Sequence, residues 1–226
     1  MARAAAEVLD APSAREPVAE RWPRRVAATA TALTAVLVLF QAGDKSLWYD
    51  EAFSIGIVDR PFGDALWRIA NWEVNQSPFF LLLAGWWRLG QGEAFLRLLP
   101  GLFAVLSVPA MFVLGRRVLG GPAGAVAAVL LACHPLSVQW GQQVRGYSLV
   151  LLLTTLTAVQ VLRAMEVPQS RRAAVATGAV AAAATYGHFF AALAVAALGG
   201  WILLHRPVPV RLLVRAGVAY TVLVVP

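Results

Sequence analysis

An all-α, polytopic helical membrane protein is the fold class this sequence predicts, and three observations carry that expectation. Of 226 residues, 59% are hydrophobic and only 14% charged, with a mean hydropathy of +0.67, too apolar for an ordinary water-soluble domain. Apolar runs near 26 to 42, 98 to 114, 122 to 140 and 147 to 163 approach the roughly 20 residues that a bilayer crossing takes with its interfacial ends. The 19 Lys and Arg residues sit in short clusters between those runs, as topology determinants do, and not along one polar face as in a nucleic-acid binder. A net charge of +7 therefore implies no nucleic-acid partner. The single cysteine, Cys133, has no partner for an intrachain disulfide and reads as a small packing residue.

The elements follow in chain order. Residues 1–25 are rich in Ala, Pro and charge, with Arg21-Trp22-Pro23-Arg24-Arg25 at their end, and predict a disordered cytoplasmic tail. The first apolar run passes directly into Gly43-Asp44-Lys45 with no small-residue cleavage site, so it is an uncleaved span and not a signal peptide. Residues 43 to 97 then form a large external loop of short membrane-surface helices. Asp50 caps one helix running to about Asp59, with Phe53 and Ile57 on one face and Pro61 as its stop. A second spans Gly63 to Trp72. The apolar stretch from Ser77 to Leu89 is about 13 residues, too short to cross, and suits an interfacial or half-embedded helix. Beyond the three long spans that follow, Ala173 to Leu204 is too long for one crossing and breaks at Tyr186-Gly187-His188 into two short ones. A seventh begins near Leu212 and is still apolar at Pro226, so the transmembrane unit 26–226 reads as the N-terminal part of a longer protein.

Charge counting orients the chain. With the tail inside, 13 of the 19 basic residues fall in cytoplasmic segments, while seven of the twelve acids fall outside, among them Asp44, Asp50, Glu51, Glu73 and Glu93. Counting residues 77 to 89 as a span would invert every later loop.

That topology gathers Asp50, Glu51, Asn75, Gln76, Gln142, Arg145, Tyr147 and His188 on one membrane face, from three separate loops. Convergence of this kind suits an active site, although polar residues concentrate outside spans in every membrane protein. Spacing alone favours Asp50-Glu51 as a helix N-terminus, where carboxylates meet free amides. Arg145 at the start of a span either snorkels into headgroups or meets a phosphate through paired donors. His188 at a helix break serves as a cap or as part of a site, and His134 before Pro135 packs or caps. Six of the eight tryptophans lie on the external side, as in an interfacial aromatic belt. The sequence holds no Walker loop, dinucleotide fingerprint, zinc motif or Gly-x-Ser-x-Gly elbow.

Ordered landmarks now carry a resemblance: Leu47-Trp48-Tyr49-Asp50-Glu51-Ala52, Asn75-Gln76-Ser77-Pro78 followed by Phe79 to Leu83, Arg97-Leu98-Leu99-Pro100, Leu114 to Gly120, His134-Pro135, Gln142-Gln143-Val144-Arg145-Gly146-Tyr147 and Tyr186-Gly187-His188-Phe189-Phe190. In this order the chain resembles a GT-C type polytopic glycosyltransferase of the bacterial protein O-mannosyltransferase and aminoarabinose transferase superfamily, over most of residues 26 to 205. The resemblance implies transfer of a sugar from a polyprenyl-phosphate donor to a glycan, lipid or protein hydroxyl, with inversion, on the outer face of a bacterial plasma membrane. It implies Asp50 as general base, Glu51 as a second catalytic carboxylate positioning acceptor or metal, Arg145 with Gln142 and Tyr147 on the leaving phosphate, and Asn75, Gln76 and His188 as substrate contacts. A divalent metal is possible for such enzymes, and its ligands are not identified. The chain departs from the family where two consecutive prolines are common, since Gln76-Ser77-Pro78 supplies one. Two other classes compete: a transporter or lipid flippase, which would carry ionisable groups within its spans, and a non-catalytic membrane protein that binds a lipid phosphate through Arg145.

Overall fold

In a bilayer each backbone amide must find its partner within its own segment, so long apolar runs close as helices. The computed structural model describes residues 18–205 and 209–224, and among them the chain is helical with no strand. In order the helices are α1 (Val18–Leu39), α2 (Tyr49–Val58), α3 (Phe62–Asn71), α4 (Ser77–Trp87), α5 (Glu93–Leu119), α6 (Gly121–Ala132), α7 (Pro135–Gly141), α8 (Tyr147–Glu166), α9 (Arg171–Gly187), α10 (Ala191–His205) and α11 (Val210–Val224).

By length and composition α5 and α8 are long and apolar enough to cross a membrane, and α6 with α7 makes a third crossing if the bent pair is counted as one. That is fewer than the six complete spans expected. The difference lies partly in helix length: α9 has 17 residues and α10 has 15, or about 25 and 22 Å at 1.5 Å per residue, against a hydrocarbon layer of about 30 Å. Helix α1 is long enough at 22 residues, but Glu20, Arg21, Arg24 and Arg25 in its first turns make it less apolar. The break between them is where it was expected, with His188 extended at the C-cap of α9. The run from 122 to 140 is not one straight helix. Pro135 lacks an N–H and forces His134 out of the helical region, to φ −74° and ψ 122°, and α6 and α7 meet at 61°.

The tail expectation for residues 1 to 17 lies outside the described residues. Residues 18 to 25, expected to be disordered, instead form the first turns of α1, with Pro23 buried inside the helix.

Helix α5 is the central post, packing against α1, α6 and α8; α8 packs on α9, and α9 on α11. Between α5 and α6 the backbones nearly touch, since a Cβ on Gly124 would lie 2.6 Å from the Phe112 carbonyl oxygen; only glycine fits there. The three loop helices join the same core: Ile57, Val58 and Ile69 pack with Phe79, Phe80 and Leu83 against Leu96, Leu99 and Phe103 of α5 and Leu149 and Leu152 of α8. Helix α4 is therefore half inside the protein, with Leu81 and Leu82 exposed on its other face. Exposed Val36, Leu39, Leu102, Leu106, Val126, Leu130 and Leu193 give the outer surface an apolar character, which suits lipid and would be a liability in water. This is the surface of a membrane protein.

Candidate active site

The site grows from one buried ion pair. Helix α2 begins at Tyr49 with Trp48 as its N-cap, not Asp50 as expected, and Glu51 at the third position reaches back to accept from the Trp48 amide at 3.0 Å. Phe53 faces outward while Ile57 is buried, so the expected two-residue face is half realised. Both Glu51 and Arg97 are nearly inaccessible, at 3% and 4% exposed. Arg97 Nε donates to Glu51 Oε1 at 3.1 Å and its Nη2 to Oε2 at 3.0 Å. The remaining guanidinium protons go to the carbonyls of Ala42 (2.6 Å), Lys45 (2.7 Å) and Ser46 (3.3 Å). All five donors of the arginine are used. The fourth donor to Glu51 is the Val144 amide, 3.0 Å from Oε1.

A charge pair taken out of water is stable only when its remaining lone pairs and protons are also satisfied, and here they are. Burial pushes the Glu51 carboxyl upward, but the Arg97 hydrogen bonds, the Trp48 and Val144 amides and the Arg97 charge outweigh it and hold the group below 4.5, its ordinary value. Glu51 thus joins α2, the loop after α1, α5 and the segment before α8 at one point.

Three further side chains do comparable work. Gln76 sits in the left-handed region at φ 67°, an uncommon and strained conformation for a side-chain-bearing residue. Its amide donates to Tyr186 O at 2.8 Å and its Oε1 accepts from the Gly146 amide at 3.0 Å. Gln142 Nε2 donates to the carbonyls of Leu37 and Phe40, both at 2.9 Å, capping the end of α1. Asn75 Oδ1 accepts from the Phe189 amide at 3.1 Å. A Cβ on Gly146 would lie 3.1 Å from both Gln76 Oε1 and Phe79 Cβ, tighter than ordinary van der Waals contact, so a larger residue there fits only if those neighbours give by a few tenths of an ångström.

These bonds bring Trp48–Glu51, Asn75–Gln76, Gln142–Tyr147 and Tyr186–Phe190 together at one end of the bundle. Asp50 lies among them, half-exposed, and its carboxylate has no hydrogen bond or ion pair among the described residues. Arg145 is half-buried with its guanidinium 5.7 Å from the Tyr147 ring centre. Tyr147 continues into an aromatic series: His188 is 6.2 Å away and stacks on Phe189 at 5.0 Å and Phe190 at 5.3 Å. The Phe190 amide donates to His188 Nδ1 at 3.3 Å. Burial, then the charge of Arg145, holds His188 below its ordinary value, so at neutral pH it is an uncharged ring with its proton on Nε2.

Among the eight residues expected at the site, four are thus engaged in holding backbone: Glu51, Asn75, Gln76 and Gln142. Asp50, Arg145, Tyr147 and His188 lie at the same end of the bundle, and no described side-chain hydrogen bond of theirs ties two elements together. Among the described residues no three His, Cys, Asp or Glu side chains are grouped to hold a metal ion. With Glu51 saturated, the acidic pair has one carboxylate left, so a protein-built metal centre does not fit these residues. Sequence reasoning gave Arg97 no role. Its signal was present: an arginine just inside an apolar helix must face a partner, and Glu51 was an acid without one.

No curated protein and no solved structure gives a significant match to this chain. Residues 77–226, well over half the chain, match the model of the dolichyl-phosphate-mannose-protein mannosyltransferase family. The matched segment includes Arg97, Val144 and Arg145 and stops short of Asp50 and Glu51, which the Glu51 bonds tie to it. With its all-helical fold and apolar surface, the chain belongs to the dolichyl-phosphate-mannose-protein mannosyltransferase family, whose members are GT-C type membrane glycosyltransferases.

Proposed function

We propose that this protein transfers a sugar from a polyprenyl-phosphate donor to an acceptor hydroxyl on the outer face of a bacterial plasma membrane, with inversion at the anomeric carbon. The observation that carries the reading is the division within the acidic pair: the Glu51 carboxylate accepts four hydrogen bonds while the carboxylate of its neighbour Asp50 has no partner among the described residues. A carboxylate held in place by a locked neighbour and left open is what a general base needs.

In this mechanism Asp50 takes the proton of the acceptor hydroxyl as that oxygen attacks the anomeric carbon. The bond from the anomeric carbon to the donor phosphate oxygen breaks, and its electron pair leaves with the phosphate. Charge grows on that phosphate in the transition state, where the preorganised guanidinium of Arg145 stabilises it most. Tyr147 and neutral His188 line the same side and accommodate the sugar. Glu51, Asn75, Gln76 and Gln142 act as positioning residues by fixing the loops that carry Asp50 and Arg145. The charge distribution supports an external site with the N-terminus inside.

Transfer from a polyprenyl-phosphate sugar by the full-length protein in nanodiscs tests the reading. Asp50→Asn lowers the rate by about 100-fold or more, the range expected for loss of a general base, while the protein inserts and binds donor normally. Wild-type turnover in that variant removes Asp50 from the base role.

A further inference from the structure

Helix α3 is pinned by one face and bare on the opposite one. Ala65 and Ile69 are buried beneath it, Ile69 in the core that holds Phe79, Phe80 and Leu83. Trp67 stands two residues from each of them, about 200° around the axis at 100° per residue, and is 57% exposed. Gly63 and Asn71, one turn before and after it, share its stripe, and Asp64 lies beside them, all exposed. A Cβ on Gly63 would meet nothing within 4 Å, so the stripe is open. An interfacial aromatic belt does not account for this position. A tryptophan that anchors a surface helix in lipid lies on the apolar side of the helix, whereas Trp67 lies opposite the apolar side of α3.

The groups around it are ordered. The ring of exposed Trp72 is centred 6.0 Å from that of Trp67 at 58°, and the Arg68 guanidinium lies 4.9 Å from the Trp72 ring, a cation–π contact that restrains both side chains. Asp64 and Arg68 have the i,i+4 spacing of an ion pair, yet the arginine goes to the indole, and Asp64 has no hydrogen bond or ion pair among the described residues. Asn71 Nδ2 donates to the Trp67 carbonyl at 2.8 Å, and its Oδ1 is bonded to nothing among the described residues. Arg88 fixes the turn into α3 by donating to the carbonyls of Val58 and Arg60, with its guanidinium 5.9 Å from the Phe62 ring.

A rigid aromatic face beside an open carboxylate and an amide suits a sugar. The negative face of the indole attracts the weakly positive C–H side of a pyranose, and its hydroxyls find acceptors in the acid and the amide. We propose that the outer face of α3 binds the acceptor as a glycan chain, with one sugar stacked on Trp67 and hydroxyls bonded to Asp64 and Asn71. The inference rests on the sugar-transfer reading and narrows its acceptor to a glycan; a lipid would call for an apolar face. The surface is continuous with the site, since Trp72 precedes Asn75 by three residues, at most about 11 Å of chain.

The test measures binding of two probes to the full chain in nanodiscs: oligosaccharides released from the envelope of cells that make the protein, and peptides recovered from the same envelope by protease. Trp67→Ala weakens oligosaccharide binding about tenfold. Trp67→Phe keeps a ring face and weakens it by about threefold or less, and neither variant changes the melting temperature, because the side chain is exposed. Aqueous iodide quenches the emission that Trp67→Phe removes, and brominated lipid does not. The proposal is overturned by wild-type protein that binds no oligosaccharide, by equal oligosaccharide binding in Trp67→Ala, by Trp67-dependent binding of the peptides alone, or by quenching of Trp67 from brominated lipid. Transfer from a polyprenyl-phosphate sugar into envelope material separates the two readings. If oligosaccharides bind through Trp67 and no sugar is transferred, the transfer reading fails and the glycan face stands; if transfer is equal in wild type and Trp67→Ala, the glycan face alone fails.

Discussion

At the scale of single residues, adjacent acids have opposite fates. Asp50 and Glu51 are equivalent in composition, and their separation comes from helix geometry: successive positions differ by about 100° around the axis, so one turns inward to Arg97 while the other stays at the rim. The inward one holds the stability. Its carboxyl titrates below 4.5 because Arg97 and two amides overcome the cost of burial. For a depressed carboxyl the stabilisation is present above the unfolded value and is lost as pH falls through the folded one. The melting temperature of the protein in nanodiscs accordingly declines as pH drops below about 4.5, and Glu51→Ala removes that acid-sensitive step. The same variant costs about 3–5 kcal/mol at neutral pH, since Arg97 is left as a buried charge without its counter-ion. Arg97→Met paired with Glu51→Leu recovers much of the loss, because removing both charges is far cheaper than removing one. Had the pair been a surface ornament, neither single change would register beyond a few tenths of a kcal/mol.

At the scale of elements, periodicity and punctuation made most boundaries legible. Pro61 separates α2 from α3, the break at Tyr186 to His188 separates α9 from α10, and Ser77-Pro78 opens α4. The bend at His134-Pro135 was equally written in the sequence, since a proline both removes a donor and restricts the residue before it, yet hydropathy averages across such a break and reported one span. Side-chain destinations were less legible. The family resemblance implied Asn75 and Gln76 as substrate contacts and Gln142 as a donor-phosphate contact; in the structure each also bonds a backbone group on a distant element, and such pairings depend on tertiary approach that no local pattern encodes. Gln76 illustrates the point: its positive φ and its bond to Gly146 become sensible only when α4, α8 and α9 meet. Gly146→Ala therefore places a methyl group 3.1 Å from Gln76 Oε1 and Phe79 Cβ, and overpacking of this kind costs about 1–3 kcal/mol. The variant shows a lower melting temperature together with weaker phosphate binding, whereas Gly85→Ala, which meets nothing within 4 Å, changes neither.

At the scale of the whole molecule, a small amount of polar chemistry is held at one end of an apolar bundle by side chains that bridge elements far apart in sequence. Charge counting predicts that this end is external, with residues 43 to 97 outside. Single cysteines introduced at exposed Asp44 and Asp64, in a Cys133→Ala background, are labelled by a membrane-impermeant thiol reagent in intact cells. A cysteine at exposed Val118 is labelled only after lysis; the reverse pattern inverts the topology and removes the external site. The fold class followed from composition because a bilayer leaves the backbone few choices, whereas the partition of the site into locked and open groups did not, since it depends on which acid Arg97 reaches. That partition is the central claim, and one paired measurement tests it most directly: the transfer rate and melting temperature of Asp50→Asn against those of Glu51→Gln. The account predicts that Asp50→Asn loses about 100-fold or more in rate with its melting temperature unchanged, and that Glu51→Gln melts markedly lower. An Asp50→Asn protein that transfers sugar at the wild-type rate, or a Glu51→Gln protein that is as stable as wild type, would contradict it.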